Sequence, residues 1–276
     1  MKVLVLGASG FVGSYLEGKL GADGASRSIY GGDPVIDVTS ADGIKAFFAK
    51  KKYGTVINCT GFTSVDGCEA DPELADLLNA KSVELLADAA TSNGFKLIHI
   101  STDYVFDGKT GRYTEMDKPN PINVYGRTKL KGESFPDMSR DLIVRISTPF
   151  GQNVSRRKKT FLEFVRENLE AGQKIKVVTD QYTTPTSLED LATFIKAAIK
   201  MDLSGIYHLG VQERVSRYEF ANAAAKRWGL DHKLIERSRL SDLKFAAQRP
   251  MDTSFNLYKA GRGIRISHLE EALARL

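Results

Sequence analysis

Four short runs of aliphatic and β-branched residues leave few architectures open. They are "VLVLG" (Val3 to Gly7), "TVINC" (Thr55 to Cys59), "KLIHI" (Lys96 to Ile100) and "LIVRIS" (Leu142 to Ser147). Each is nearly continuous in apolar residues, so the strand it forms needs cover on both faces. The stretches between them, Phe11 to Leu20, Gly43 to Lys51 and Pro72 to Thr91, are helical, the last with apolar residues three and four apart. Pro72 after Asp71 suits a helix start, and Ser92 to Gly94 suits a stop. Strands alternating with helices in this way predict an α/β, Rossmann-type, doubly wound parallel sheet with right-handed crossovers.

Beyond Phe150 the rhythm loosens. A basic segment, Ser155 to Lys159, precedes a helix from about Thr160 to Ala171 and a strand "KIKVV". Ser187 stands as an N-cap with Asp190 at the capping-box position. "GIYHLG" reads as a strand and Ser216 to Trp228 as a helix. No repeat or linker separates the halves. The expected division is a dinucleotide-binding domain over 1–149 and a smaller, interleaved C-terminal substrate lobe over 150–276. Part of that lobe, about 178–204, is expected to pack back on the first domain.

Composition removes several function classes. A net charge of +5, scattered along the chain, suits an anionic ligand without implying nucleic acid. Cys59 and Cys68 cannot form a disulfide framework in a chain this long, which points to a reducing cytoplasm. Cys59 itself reads as a small core residue at a strand end. "MKVLVLGASG" runs into glycines too soon for a secretory leader, and no apolar run approaches the roughly 20 residues of a membrane span. His99, His208, His232 and His268 are far apart and lack metal-ligand spacing, so each reads as a packing or surface residue and no metal is expected.

"GASGFVG" places Gly7, Gly10 and Gly13 after the first strand and at the start of the first helix. A tight turn there lets main-chain N–H groups and the helix N-terminus meet a pyrophosphate. An NAD site usually carries an acid at the end of the second strand. The second strand is expected within "GASRSIYGG", which offers Arg27 and no carboxylate, and a guanidinium suits a 2′-phosphate. NADPH is therefore preferred over NADH as the cofactor. Asp37 and Val38 fall where a loop would pass the adenine edge.

The reacting end is expected where "HISTDYVFDG" turns polar at the end of the fourth strand, with Ser101, Thr102 and Asp103 in succession. In "NVYGRTKLKGE", Tyr125 and Lys129 are four apart and share one helix face. An ammonium beside a phenol favours the phenolate, which would lower the tyrosine's pKa from near 10 and ease proton transfer.

Together these motifs make the chain resemble the extended short-chain dehydrogenase/reductases, and among them the dTDP-4-dehydrorhamnose reductase family. "GASGFVG", "STDYVFDG", "YTEMDKPNPINVYGRTKLKGE", "DQYTTPTSLEDLA", "GIYHLG" and "RPMDTSFN" run in that family's order across nearly all of the chain. The resemblance implies that Thr102 hydrogen-bonds a substrate carbonyl, Tyr125 protonates it, and Lys129 tunes Tyr125 and holds the nicotinamide ribose. It places Gly10, Phe11 and Val12 on the pyrophosphate, Thr60, Gly61 and Phe62 along the cofactor, and Ile100 against it. Thr102 and Asp103 would also touch the sugar, and Arg249 would grip the substrate diphosphate, as would the basic run 156–159 if it is more than a solvated face.

The implied reaction is hydride delivery to C4 of a nucleotide-linked 4-keto-6-deoxy sugar by a monomer or homodimer. After the fifth strand, where the family carries a Ser-Trp pair, this chain has Thr148 and Pro149, a departure that bears on sugar specificity. Two other readings share these motifs. One is a non-catalytic NADP-binding subunit like the β subunit of methionine adenosyltransferase; the other is a reductase or epimerase of another nucleotide sugar.

Overall fold

In chain order the strands are β1 (Val3–Leu6), β2 (Asp23–Ala25), β3 (Thr55–Asn58), β4 (Lys96–Thr102), β5 (Leu142–Ile146), β6 (Ile175–Val178), β7 (Tyr182–Thr183), β8 (Gly205–Leu209), β9 (Val215–Ser216) and β10 (Ile235–Ser238). The helices up to Arg227 are α1 (Phe11–Leu20), α2 (Ala41–Lys50), α3 (Val65–Ala70), α4 (Pro72–Asp76), α5 (Ser82–Asn93), α6 (Val124–Gly132), α7 (Phe161–Glu170), α8 (Leu188–Lys200) and α9 (Arg217–Arg227). The structure is a computed structural model that describes residues 2–28, 33–155 and 159–276.

Six parallel strands form the central sheet in the order β2-β1-β3-β4-β5-β8. Alternate residues of each strand serve opposite faces, which is why the runs are apolar throughout. Val5, Ile57, Ile98 and Val144 pack against α1 and α8, while Leu4, Leu6, Val56 and Leu97 pack against α2 and α5. The chain winds one way from β1 to β2 and the other way from β3 onward. That reversal opens a crevice at the carboxyl ends of β1 and β3, where folds of this kind bind ligands.

Residues of the second half complete this sheet. Helix α8 packs beside Leu16 of α1, and β8 pairs with β5 from Leu142↔Gly205 to Ile146↔Leu209. The return to the first domain therefore runs to Leu209, past the expected limit at 204, because "GIYHL" completes the sheet's edge. The remainder forms a lobe in which β6 and β10 pair in parallel and α7 and α9 enclose Val165, Leu169, Ile175 and Ala221. No helix among the described residues is long and apolar enough to cross a membrane.

Local expectations fare unevenly. Helix α1 spans the predicted residues. The second strand begins at Asp23 and ends at Ala25, and 29–32 of the predicted segment lie outside the described residues. Ser187 does cap α8, but Asp190 accepts from Ser267 (2.8 Å) and Arg275 (2.6 Å), so the reciprocal half of the capping box is not made. The single helix predicted from Pro72 is broken by a π-helical turn, Leu77–Lys81, between α4 and α5.

Candidate active site

The crevice starts at the glycine turn. Gly7 has a φ of 79°, which a side chain disfavours, and its N–H donates to Ala25 O at 2.9 Å. A Cβ on Gly13 would stand 2.1 Å from Gly7 O, so α1 can press against the turn only with glycine there. Gly13→Ala is expected to destabilise the protein by about 1–3 kcal/mol, the usual cost of overpacking, read as a lower denaturation midpoint. Gly10 is the N-cap of α1 and no side chain accepts from the first turn. Those N–H groups and the helix dipole make a ready anion cradle.

The polar burst at the end of β4 is buried. Thr102 Oγ1 accepts from Tyr104 N–H at 3.2 Å and donates to Asp103 Oδ1 at 3.1 Å. Asp103 Oδ2 accepts from Ser147 Oγ at 2.6 Å and from Thr253 Oγ1. Burial raises the Asp103 carboxyl, while these hydroxyls and the Arg217 guanidinium oppose it. Asp103 thus ties together three segments of chain and fixes where Thr102 stands.

Asn123, two residues before Tyr125, caps α6 by accepting from Gly126 N–H at 2.8 Å. The Tyr125 ring meets Tyr104 edge-on at 5.8 Å. Burial pushes the Tyr125 phenol above its ordinary value of 10, with the Thr102 hydroxyl pulling the other way. Lys129 Nζ donates to Ile100 O at 2.8 Å and lies 3.3 Å from His99 Nε2. Burial lowers Lys129 to about 8, opposed by Glu133 and Cys59. This corrects the expectation of a phenol depressed by its lysine. Burial penalises the charged form of both groups, and Nζ is turned to the end of β4. Tyr125 is consequently a protonated phenol, suited to donating a proton rather than removing one.

Behind these residues, Glu133 accepts from buried Arg145 through Nε (2.9 Å) and Nη2 (2.6 Å), and from Ser101 Oγ at 2.5 Å. Arg145 Nη1 also approaches His208 Nε2 at 3.3 Å. This network fastens the end of α6 to β4 and β5.

The cleft has a volume of about 490 Å³, in the range of cofactor sites. Gly10, Phe11 and Val12 line the cleft beside the glycine turn, Thr60, Gly61 and Ile100 line it at the ends of β3 and β4, and Thr102, Asp103, Tyr125 and Lys129 line it beyond them. The loop after β5 contributes Thr148 and Pro149, and the second lobe contributes Lys159, Phe161 and Arg217. Thr148 has a φ of 40°, unusual for a β-branched residue.

Other predicted residues sit elsewhere. Arg27 is exposed just past β2. Asp37 is exposed too, and hydrogen bonds from Thr39, helped by the Arg27 charge, hold its carboxyl low. Val38 is buried with Leu4 and Ala25 in the core. Phe62 lies outside the cleft lining, its backbone held by Asn79, which the π-turn aims between Phe62 and Thr128. Arg249 pairs with Asp66 at 2.8 Å and is not among the lining residues. Of the basic run, Lys159 lines the cleft and 156–158 lie outside the described residues.

Some site residues had been passed over. Cys59 packs against the core as expected and also lines the cleft, and burial pushes its thiol up to about 12. His99, taken as a packing residue, touches both Asn58 and Lys129. Arg217 at the start of α9 was missed altogether. The available signal for Asn58 and His99 was a polar residue inside an otherwise apolar strand.

The whole chain, residues 1–276, matches the family model described as the RmlD substrate binding domain. It is 33% identical to the probable low-salt glycan biosynthesis reductase Agl14 of Haloferax volcanii, covering 100% of this chain and 97% of that protein. It is 32% identical to the dTDP-4-dehydrorhamnose reductase of Salmonella typhimurium, over 95% of this chain and 91% of that one. Among solved structures, the dTDP-4-dehydrorhamnose reductase of Bacillus anthracis in complex with NADP superposes with a TM-score of 0.89 at 27% identity, covering 100% and 98% of the two chains.

Proposed function

The chain belongs to the RmlD substrate binding domain family, and on that premise we propose that it is an NADPH-dependent oxidoreductase that reduces the ketone of a nucleotide-linked sugar. The finer reading is reduction of C4 of dTDP-4-dehydro-L-rhamnose to give dTDP-L-rhamnose. The convergence of Thr102, Tyr125 and Lys129 at one end of a cleft that begins at a glycine turn carries this reading. NADPH is the better fit, with NADH possible, because Arg27 follows β2 with no carboxylate on that strand end.

The dinucleotide's fit is supported by the turn itself. Gly13 leaves no room for a Cβ, Gly7 holds a positive φ that disfavours one, and the first turn of α1 is uncapped. Gly10, Phe11 and Val12 would hold the pyrophosphate, Thr60, Gly61 and Ile100 would flank the cofactor, and Lys129 would hold its ribose. When bound, the reduced nicotinamide supplies the hydride.

The chain's own residues then manage the ketone oxygen. Thr102 Oγ1 is fixed by the Tyr104 N–H, so its hydrogen needs only to turn about the Cβ–Oγ bond, from Asp103 to the ketone. Tyr125 donates its phenolic proton to that oxygen as negative charge develops. Lys159 and Arg217, facing the same cleft, supply positive charge for the substrate diphosphate.

The test supplies dTDP-4-keto-6-deoxy-L-lyxo-hexose and follows oxidation of NADPH and of NADH. Turnover with NADPH exceeding that with NADH is expected. Binding of NADPH without turnover of this or any related keto-sugar would discard the reductase reading in favour of a regulatory subunit.

A further inference from the structure

Asn58 closes β3, and His99 is its ladder partner on β4; both are fully buried. Asn58 Oδ1 accepts from the Thr60 main-chain N–H at 3.0 Å and from Thr60 Oγ1 at 2.6 Å. A main-chain N–H can only donate, so the amide orientation is fixed, and Nδ2 is the atom that faces His99 Nδ1 at 3.2 Å. An amide NH₂ can only donate as well, so Nδ1 must accept. Burial keeps His99 neutral, and a neutral imidazole that accepts at Nδ1 carries its hydrogen on Nε2.

That Nε2–H points at Lys129 Nζ, 3.3 Å away. Nζ also donates to Ile100 O at 2.8 Å. A neutral amine satisfies both contacts, because it has hydrogens for Ile100 and a lone pair for His99. An ammonium has no lone pair and would meet a donor head-on.

We propose that Asn58 and His99 are positioning residues that hold Lys129 as a neutral amine in the cofactor-free cleft, so that Lys129 takes a proton from solvent when the anionic dinucleotide binds. The proposal rests on the reductase reading of this cleft. The groups that face Lys129 come from each packed element: Cys59 after β3, His99 and Ile100 on β4, and Glu133 just past the end of α6, with Tyr125 of α6 lining the same cleft. An N–H aimed at Nζ acts in the same direction as burial and against Glu133. Keeping the amine neutral avoids burying a charge before its counter-charge arrives.

The tautomer is read directly from histidine ¹⁵N spectra of the cofactor-free protein, where His99 is expected to carry its hydrogen on Nε2. Burial lowers Lys129 to about 8, and the Nε2–H aimed at it takes it lower. Calorimetric titration with NADPH, in buffers of differing ionisation enthalpy, is therefore expected to show net proton uptake already at neutral pH. Asn58→Asp reverses the polarity: a carboxylate accepts from Nδ1–H and leaves the Nε2 lone pair for an ammonium. It is expected to abolish the uptake and to move the basic limb of the pH–rate profile up by about one unit.

The sign follows from the ammonium being the working form, which is lost as the pH rises through its pKa. His99→Gln can offer Lys129 an amide oxygen, should give the same upward shift, and keeps the test available if the buried carboxylate prevents folding. An Nδ1–H tautomer, or NADPH binding without proton uptake, overturns the proposal and leaves the reductase reading standing. An undiminished Asn58→Asp shift in the His99→Gln background overturns it too, since the carboxylate's field would then suffice. NADPH failing to bind overturns both.

Discussion

Tyr125→Phe is expected to lower kcat for ketone reduction by at least about a hundredfold, the scale set by a positioned acid. The substitution removes one oxygen and leaves the ring, which packs edge-on against Tyr104. Denaturation midpoint and NADPH affinity are therefore expected to stay close to wild type, so the loss falls on the chemical step. Thr102 still polarises the ketone in the variant, but an aliphatic hydroxyl is a far weaker acid than a phenol and is a poor source of a proton. Because burial raises the Tyr125 pKa, the phenol remains protonated past its ordinary range of about 10, and its deprotonation does not limit the rate near neutral pH. Steady-state kinetics with a thermal melt and a cofactor titration check all three expectations. A kcat within a few-fold of wild type would remove Tyr125 from the proton-donor role.

What the sequence made legible was local. The strand–glycine–helix unit could be recognised because its requirements lie within a dozen residues, and α1 forms over the residues predicted for it. The same holds for Tyr125 and Lys129, whose four-residue spacing fixes a shared helix face. Spacing does not report burial, however, and burial reversed the expected direction of the Tyr125 shift. Contacts made across the chain were not legible at all. Asp103 owes its orientation to Ser147 on the loop after β5 and to Thr253 far toward the C-terminus. Asn79 reaches Phe62 and Thr128 because of a π-turn that an amphipathic pattern cannot distinguish from continuous helix. Asp190 looked like half of a capping box until Ser267 and Arg275, brought in by the C-terminal segment, took its carboxylate.

The Arg145–Glu133 pair is the point where the site depends most on the core. Arg145 is 2% exposed and Glu133 7%, and between them pass the bonds that anchor α6 to β5, with Ser101 adding the link to β4. Glu133→Gln keeps the side chain's shape but leaves a guanidinium buried without a counter-charge, since its other polar neighbour is His208, which burial and Arg145 itself lower to about 3 and hold neutral. Breaking a buried pair from one side costs about 3–5 kcal/mol, a large share of the roughly 5–15 kcal/mol that holds a typical protein folded. The loss should appear in the free energy of unfolding by urea. Removing both charges together, as in Glu133→Leu with Arg145→Met, is expected to cost less than the single substitution, because no unpaired charge then remains. If Glu133→Gln cost under about 1 kcal/mol, the range of an exposed pair, the network would not be what holds α6, and with it Tyr125 and Lys129, in register with the end of β4.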